Sequence, residues 1–279
     1  MTSKEAAEIC NRYGITARKR WGQNFLCSDE TADRIIEAAG ITKEDSVLEI
    51  GPGIGALTEK LCACARSVLA VEIDPVLSDY LRERFDDSDR CTVVQSDFLD
   101  LARDRVIELI GRPSVIISNL PYNLTTPIIT KLMSDYPDAN AMLFMVEEDA
   151  CTRIFSSPSE KSYGPLSVIS SVYGNKEKLF TVPPQFFFPS PHTVSAVIRF
   201  SREKDREPMP TGFVSFVREA TAVRRKTLIN ALGQSSGFSR DIPKIRGFLI
   251  NKGLSETVRA ESLPPLEFLA LYQELRTNI

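Results

Sequence analysis

Between about residues 30 and 155 the apolar positions fall into short unbroken runs, separated by longer mixed stretches. Val47-Leu48-Glu49-Ile50, Val68-Leu69-Ala70-Val71, Cys91-Thr92-Val93-Val94, Val115-Ile116-Ile117 and the run 141–146 read as strands. Leu57 and Leu61 share helical spacing, and helices are expected over 75–85, 101–110 and 127–133. A strand that is apolar at consecutive positions is buried on both faces. Its alternation with helices predicts a mostly parallel sheet with helices on each side, an α/β fold.

Beyond 155 the pattern changes. Val168-Ile169-Ser170-Ser171-Val172-Tyr173 and the run 195–200 read as two more strands around a proline-rich stretch, VPPQFFFPSPHT at 182–193. The polar, proline-containing SREKDREPMPTG at 201–212 reads as a linker. From Phe213 onward the chain is helical, with Phe213, Phe216, Val217 and Ala220 on one face. The expected organisation is an α/β domain over 1–204 and a small helical domain over 205–279.

Composition narrows the class. The 279 residues are 43% hydrophobic and 25% charged, ordinary for a soluble protein. No apolar run approaches the roughly 20 residues needed to span a bilayer. The N-terminus, MTSKEAAEIC, lacks the apolar stretch of a signal peptide, so a cytoplasmic location is expected. Six cysteines are scattered, and Cys62-Ala63-Cys64 does not have zinc-knuckle spacing, so packed reduced thiols and no metal are expected. With His192 as the single histidine, a Ser-His-Asp or Cys-His mechanism is disfavoured. The net charge of -3 argues mildly against a nucleic-acid partner, yet the distribution is uneven. Residues 201–279 carry 13 Lys and Arg against 9 Asp and Glu, and the first 200 residues carry 21 against 28. Short cationic knots stand at Arg18-Lys19-Arg20 and Arg224-Arg225-Lys226, and patches rather than totals bind a polyanion.

Candidate chemistry gathers at strand ends. Glu49-Ile50-Gly51-Pro52-Gly53-Ile54-Gly55-Ala56 follows the first strand and opens a helix, where glycines let the backbone turn tightly and approach a ligand. Gly51, Gly53 and Ala56 satisfy the loose dinucleotide fingerprint, and Glu72 stands where that fingerprint wants its ribose-binding acid, so an NAD oxidoreductase is a rival reading. Three features favour S-adenosylmethionine. Glu49 is a second acid at the loop, unsuited to a pyrophosphate but suited to a cationic methionine ammonium. The third strand ends in Ser96-Asp97-Phe98, a carboxylate beside an aromatic that fits an adenine ring. The fourth ends in Asn119-Leu120-Pro121-Tyr122.

That last tetrapeptide suits a flat amine. The lone pair of adenine N6 is delocalised into its ring, so a site that methylates it must hold the amino group with neutral acceptors. Asn119 offers a side-chain oxygen and Leu120 a backbone carbonyl. Pro121 fixes the backbone and removes a competing donor. Tyr122 offers a ring for stacking.

The chain as a whole resembles the bacterial small-subunit (16S) ribosomal RNA adenine N6-dimethyltransferases, the kasugamycin-sensitivity methyltransferases. The matching pieces are Arg20-Trp21-Gly22-Gln23-Asn24-Phe25-Leu26, Leu48-Glu49-Ile50-Gly51-Pro52-Gly53, Glu72-Ile73-Asp74, Asp97, Asn119-Leu120-Pro121-Tyr122-Asn123, Tyr163-Gly164-Pro165-Leu166-Ser167-Val168, Val182-Pro183-Pro184 with Phe187 and Pro189, and Arg224-Arg225-Lys226-Thr227-Leu228. The resemblance implies a Rossmann-like seven-stranded methyltransferase domain and a helical C-terminal domain that contacts RNA. It implies dimethylation of two adjacent adenosines in a 3′-terminal hairpin loop, and a role in small-subunit biogenesis. S-adenosylmethionine is the implied cofactor, held by Asn24, Leu26, Gly51, Glu72, Asp97 and Asn119. Asn119, Leu120, Pro121 and Tyr122 would form the target-base site, with Phe187 covering the base opposite Tyr122. The implied partner is small-subunit rRNA or an immature small subunit, with the enzyme a monomer. Large-subunit rRNA methyltransferases of macrolide resistance share GQNFL and NLPYN, and a chiefly non-catalytic assembly factor is a further alternative.

The sequence departs from that family at three places. Trp21 stands where Phe is usual. Met145-Val146-Glu147-Glu148-Asp149 replaces M-V-Q-K-E, and Pro191-His192-Thr193-Val194-Ser195 replaces P-K-V-D-S. Two lysines of the target side are thereby absent, so RNA affinity is expected to lean on Arg18, Lys19, Arg20, Arg224, Arg225 and Lys226.

Overall fold

The computed structural model describes residues 1–17, 22–121, 123–202 and 207–276. The chain forms two compact units. The first comprises Met1–Lys131, Asp138–Cys151 and Asn175–Lys204; the second comprises Leu132–Pro137, Thr152–Gly174 and Asp205–Ile279. The second unit is therefore assembled from discontinuous pieces, and takes in 152–174 as well as the C-terminal stretch.

The first unit is built on strands β1 (Phe25–Leu26), β2 (Ser46–Ile50), β3 (Ser67–Glu72), β4 (Cys91–Gln95), β5 (Val115–Asn119), β6 (Ala141–Glu147), β7 (Asn175–Val182), β8 (Phe187–Phe188) and β9 (Ser195–Ser201). Seven of them form one sheet in the order β4-β3-β2-β5-β6-β9-β7. The first five in that order are mutually parallel, and β9 inserts antiparallel between β6 and β7. This is the mostly parallel Rossmann-like sheet that the apolar runs predict. β1 and β8 make a separate antiparallel ladder that pairs Phe25 with Phe188 and Leu26 with Phe187.

Helices α1 (Ser3–Tyr13), α2 (Asp29–Ala39), α3 (Ala56–Cys64), α4 (Pro75–Arg84) and α5 (Arg103–Ile110) belong to the same unit. Their starts are written locally. Ser28 caps α2 by accepting from Thr31 N–H, and Asp74 caps α4 just before Pro75. Two apolar clusters result. One joins Val47, Leu57, Leu61, Val68, Val115, Ile117, Leu143 and Val197 with Leu26 and Phe187. The other joins Ala6, Cys10, Phe25, Ile54, Leu77 and Leu81. From β2 the chain builds outward through β3 and β4, then crosses back to place β5 on the other side of β2, which makes the carboxyl end of β2 the switch point where open α/β sheets bind ligands.

Helices α6 (Thr125–Asp135), α7 (Glu148–Phe155), α8 (Pro165–Tyr173), α9 (Phe213–Thr221), α10 (Leu228–Gly233), α11 (Ile242–Asn251) and α12 (Pro265–Arg276) complete the described helices. Helix α8 corrects the strand expected over 168–173. Gly164-Pro165 opens it, and Ser167 Oγ accepts from Gly164 N–H at 3.1 Å. The two central serines then bond back to the helix, Ser170 Oγ and Ser171 Oγ both donating to Ser167 O at 3.2 and 2.8 Å. Back-bonding lets a serine sit inside a helix without demanding a turn. The strand lies further on as β7, whose Asn-Lys-Glu-Lys start hides an edge strand behind charges.

In the second unit α8 packs on α9 and α12. Phe213, Phe216, Val217 and Ala220 are buried, as their spacing predicts. Phe216 meets Phe238 edge-on at 5.0 Å and Tyr272 at 5.3 Å, so aromatic contacts dominate this small core. Tyr163 is 3% exposed and donates its hydroxyl to Leu263 O at 2.6 Å. Tyr163→Phe leaves that carbonyl without its buried donor and is expected to cost about 1–2 kcal/mol. Urea unfolding checks this, through a lower midpoint at unchanged slope.

Candidate functional site

At the carboxyl ends of β2, β3 and β5 lies an open cleft, about 640 Å³ with the solvent space at its mouth included. Gln23, Asn24, Phe25 and Leu26 line one side. Glu49, Gly51, Pro52, Gly53 and Ile54 line another, and Glu72, Ile73, Asn119 and Pro121 complete it. Of the expected cofactor residues, Asn24, Leu26, Gly51, Glu72 and Asn119 thus share one cavity. Asp97 stands outside this lining, two residues past the end of β4. It is on the same edge, since Ser96 N–H donates to Glu72 O at 2.9 Å, and its Oδ1 accepts from Leu99 N–H at 2.8 Å.

The glycine loop shapes the floor. Gly51 has φ +67°, and a Cβ there would lie 3.7 Å from the carbonyl oxygen of Asn119, so the loop and the end of β5 approach closely. Gly53 has φ +58°, and a Cβ there would come within 2.8 Å of the Phe25 ring. A side chain at Gly53 would therefore be strained in backbone and blocked in space. Phe25, within the family-matching segment Gln23–Leu26 that the resemblance sets over the methionine end, lays its ring against Gly53 of the loop. Ser118 was not among the expected site residues: its hydroxyl donates to Ile50 O at 2.6 Å and ties β5 to β2 just before the motif.

Three acids are buried here, and they are the buried charged side chains among the described residues: Glu49, Glu72 and Asp74. Glu72 accepts from Gly53 N–H at 3.1 Å on one oxygen and from Asp74 N–H at 3.0 Å on the other. Burial nevertheless pushes its carboxyl up to about 7. Glu49 is 2% exposed, and its Oε2 has no hydrogen-bond partner among the described residues. Burial, with the charge of Glu72 adding to it, pushes Glu49 up to about 8. No Lys, Arg or His is among the described lining residues. A pyrophosphate would meet acids at this floor, whereas a sulfonium and an ammonium find carboxylates. The donor set fits S-adenosylmethionine and disfavours the dinucleotide rival.

At the end of β5 the Asn119 amide nitrogen donates to Asn24 O at 2.8 Å, which orients the amide and leaves its oxygen as an acceptor. Leu120 N–H donates to Met145 O at 3.0 Å, and its carbonyl takes no hydrogen bond from the described residues. The Pro121 carbonyl is used by the turn, accepting from Leu124 N–H at 3.0 Å. Two adjacent acceptors are thus held at the cleft. Tyr122 lies outside the described residues, as do Arg18, Lys19 and Arg20. Phe187, expected to cover the target base, is 2% exposed and shares an apolar cluster with Leu26, its partner in the β1–β8 ladder.

The cationic and acidic residues singled out elsewhere are also placed. Arg224 and Arg225 are exposed between α9 and α10 in the second unit. Arg224 Nε lies 3.5 Å from Glu261, and Lys226 reaches the side-chain oxygen of Gln234. In the first unit the acids that replace the family's Gln and Lys are engaged: Glu147 accepts from Thr193 Oγ1 at 2.8 Å, and Glu148 pairs with Lys178 at 2.8 Å.

Comparison with known proteins agrees with this geometry. Residues 14–276 match the family model described as ribosomal RNA adenine dimethylase. A protein of Lachnoclostridium phytofermentans named ribosomal RNA small subunit methyltransferase A is 35% identical, with 96% of this chain and 94% of that protein covered. The protein of the same name from Listeria innocua is 42% identical, covering 83% and 81%. Among solved structures, a dimethyladenosine transferase from Plasmodium falciparum superposes with a TM-score of 0.70 over 90% of this chain and 97% of that one, at 21% identity, which speaks to the fold. The 23S rRNA methyltransferase ErmE superposes with a TM-score of 0.62 over 90% and 99%, at 26% identity. The chain belongs to the ribosomal RNA adenine dimethylase family, and is an S-adenosylmethionine-dependent rRNA adenine methyltransferase.

Proposed function

We propose that the protein dimethylates N6 of two adjacent adenosines in the 3′-terminal hairpin loop of small-subunit rRNA, acting as a cytoplasmic monomer on the maturing small subunit. The observation that carries the chemistry is the pair of acceptors at Asn119 and Leu120 beside an acid-floored cleft. The choice of the small subunit is supported by the names of the 35% and 42% identical relatives. The large-subunit reading draws on the likeness to ErmE. No described helix is long and apolar enough to cross a membrane.

Residue roles follow from placement and chemistry. Glu72 would exchange its backbone donors for ribose hydroxyls, Asp97 would accept from the cofactor's adenine amine, and Asn24, Leu26 and Gly51 would wall in the methionine end. Bound there, S-adenosylmethionine supplies a methyl group on an electrophilic sulfonium. Asn119 Oδ1 and the Leu120 carbonyl would accept the two N–H bonds of the target amine and turn its lone pair toward that methyl group. Pro121 would keep the carbonyl in place, and Tyr122 would stack on the base. Rate then comes from alignment and from fixed dipoles at the developing positive nitrogen. The nitrogen becomes acidic as it is alkylated and loses its proton to water, so no strong base is needed. A loop adenosine leaves its stack more cheaply than a paired one. Residues 1–204 would carry this catalysis, and the helical segment 205–279 would contribute to gripping RNA, with Arg224, Arg225 and Lys226 joined by Arg18, Lys19 and Arg20.

Labelled S-adenosylmethionine with unmethylated small subunits should yield dimethyladenosine on nucleoside analysis; labelling of large-subunit RNA instead overturns the assignment. Asn119→Ala should lower kcat on the order of 10²–10³-fold, as measured for lost transition-state hydrogen bonds. Should Asn119→Ala retain full activity, the acceptor role is wrong. Gly53→Ala should raise the cofactor Kd about tenfold, from positive-φ strain of about 1–2 kcal/mol and displacement of Phe25, read by calorimetry. Changing Arg18, Lys19, Arg20, Arg224, Arg225 and Lys226 to Gln should flatten the salt dependence of RNA binding, by about 0.7 in slope for each phosphate left without its cation. An unaltered slope would place the RNA elsewhere.

A further inference from the structure

Glu49 is the unexplained group of the cleft. The sequence marks it as an acid suited to a cationic ammonium, and the residue roles above do not use it. Its strand is flanked on both sides, it is 2% exposed, and one oxygen is unpartnered among the described residues. The groups that face it are Thr58 and Cys62 from α3, Glu72 from β3 and Cys91 from β4. None is a cation. A carboxylate buried among neutral and anionic neighbours has lost its hydration and gained no counter-charge, so the neutral acid is the favoured form. Glu72 differs: two backbone N–H groups already stabilise its charge.

A positive ligand changes that balance. Within a low-dielectric cleft a unit charge a few ångströms away is worth several kcal/mol of attraction before its own desolvation. A ligand that brings such a charge to the floor thus favours the carboxylate. Resting on the assignment of this cleft to S-adenosylmethionine, we propose that Glu49 stands protonated in the free protein and releases its proton to solvent when a cationic ligand seats, so that the cleft favours the sulfonium cofactor over its thioether product by charge. The neutral acid and the cation give an ion pair and one proton in the buffer. S-adenosylhomocysteine carries the same ammonium and carboxylate but one positive charge fewer, and draws out less of the proton. Methyl transfer then removes the charge that kept Glu49 ionised, the acid takes a proton back, and the product's hold on the cleft weakens.

Calorimetric titration of the full-length protein at pH 6.5–7.0, below the α-amino range so that the ligand ammonium stays charged, tests this. Runs in two buffers of different ionisation enthalpy count the protons. About one proton is expected to leave per S-adenosylmethionine bound, and clearly fewer per S-adenosylhomocysteine. Glu49→Gln should abolish the release while Cys62→Ser preserves it. Should Glu49→Gln fail to fold, Glu72→Gln decides: about one proton should still leave per S-adenosylmethionine bound, and its loss in that variant assigns the release to Glu72 and overturns the proposal. Heats independent of buffer, release that persists in Glu49→Gln, or equal release for the two ligands overturns the proposal and leaves the cofactor assignment standing. Failure of S-adenosylmethionine to bind at all overturns both.

Discussion

Burying acids without a base is the constraint around which this cleft is arranged. Glu49, Glu72 and Asp74 lie at the carboxyl edge of a parallel sheet, where apolar side chains fill both faces. Each is handled differently. Asp74 becomes the cap of α4, Glu72 is held by two backbone N–H groups, and Glu49 is left with an unpartnered oxygen. Hydration lost by a carboxylate is replaced either by fixed dipoles or by an opposite charge. The three acids thus grade from capped Asp74, through Glu72 with two backbone donors, to Glu49 with an unpartnered oxygen among the described residues. The glycine loop stands beside these acids: Gly51 and Gly53 take positive φ, and a Cβ at Gly53 would strike the Phe25 ring.

Much of this was legible in the residues. Five apolar runs became the five parallel strands at nearly the expected bounds, because a strand buried on both faces cannot hide its composition. Gly51, Glu72 and Asn119 were legible for a related reason: each breaks an apolar run at its carboxyl end. Less legible were features whose cause lies across the fold. Val168-Ile169-Ser170-Ser171 looks like a strand until the serines are seen bonding back to Ser167. β7 was hidden by its edge charges. Phe187 sits among three identical residues, and only the structure shows that it shares an apolar cluster with Leu26. Ser118 carries no chemical signal of its own; its importance is positional.

The acids at the end of β6 illustrate how a departure from a family pattern is absorbed. Glu147 and Glu148 look unfavourable for a protein that handles a polyanion. Thr193 and Lys178 engage them, and Thr193 belongs to the same stretch in which the family's lysine is missing. The two departures are neighbours in space.

The ladder between β1 and β8 has a consequence for how the protein is made. Leu26 is fixed against Phe187, Phe25 against Phe188, and Cys27 N–H donates to Phe186 O at 2.7 Å. One wall of the cleft is therefore anchored to residues some 160 positions downstream. During synthesis the glycine loop, β3 and β5 can all be in place while that wall still lacks its partner. The β1 side of the cleft gains its strand partner only once Phe188 has been added.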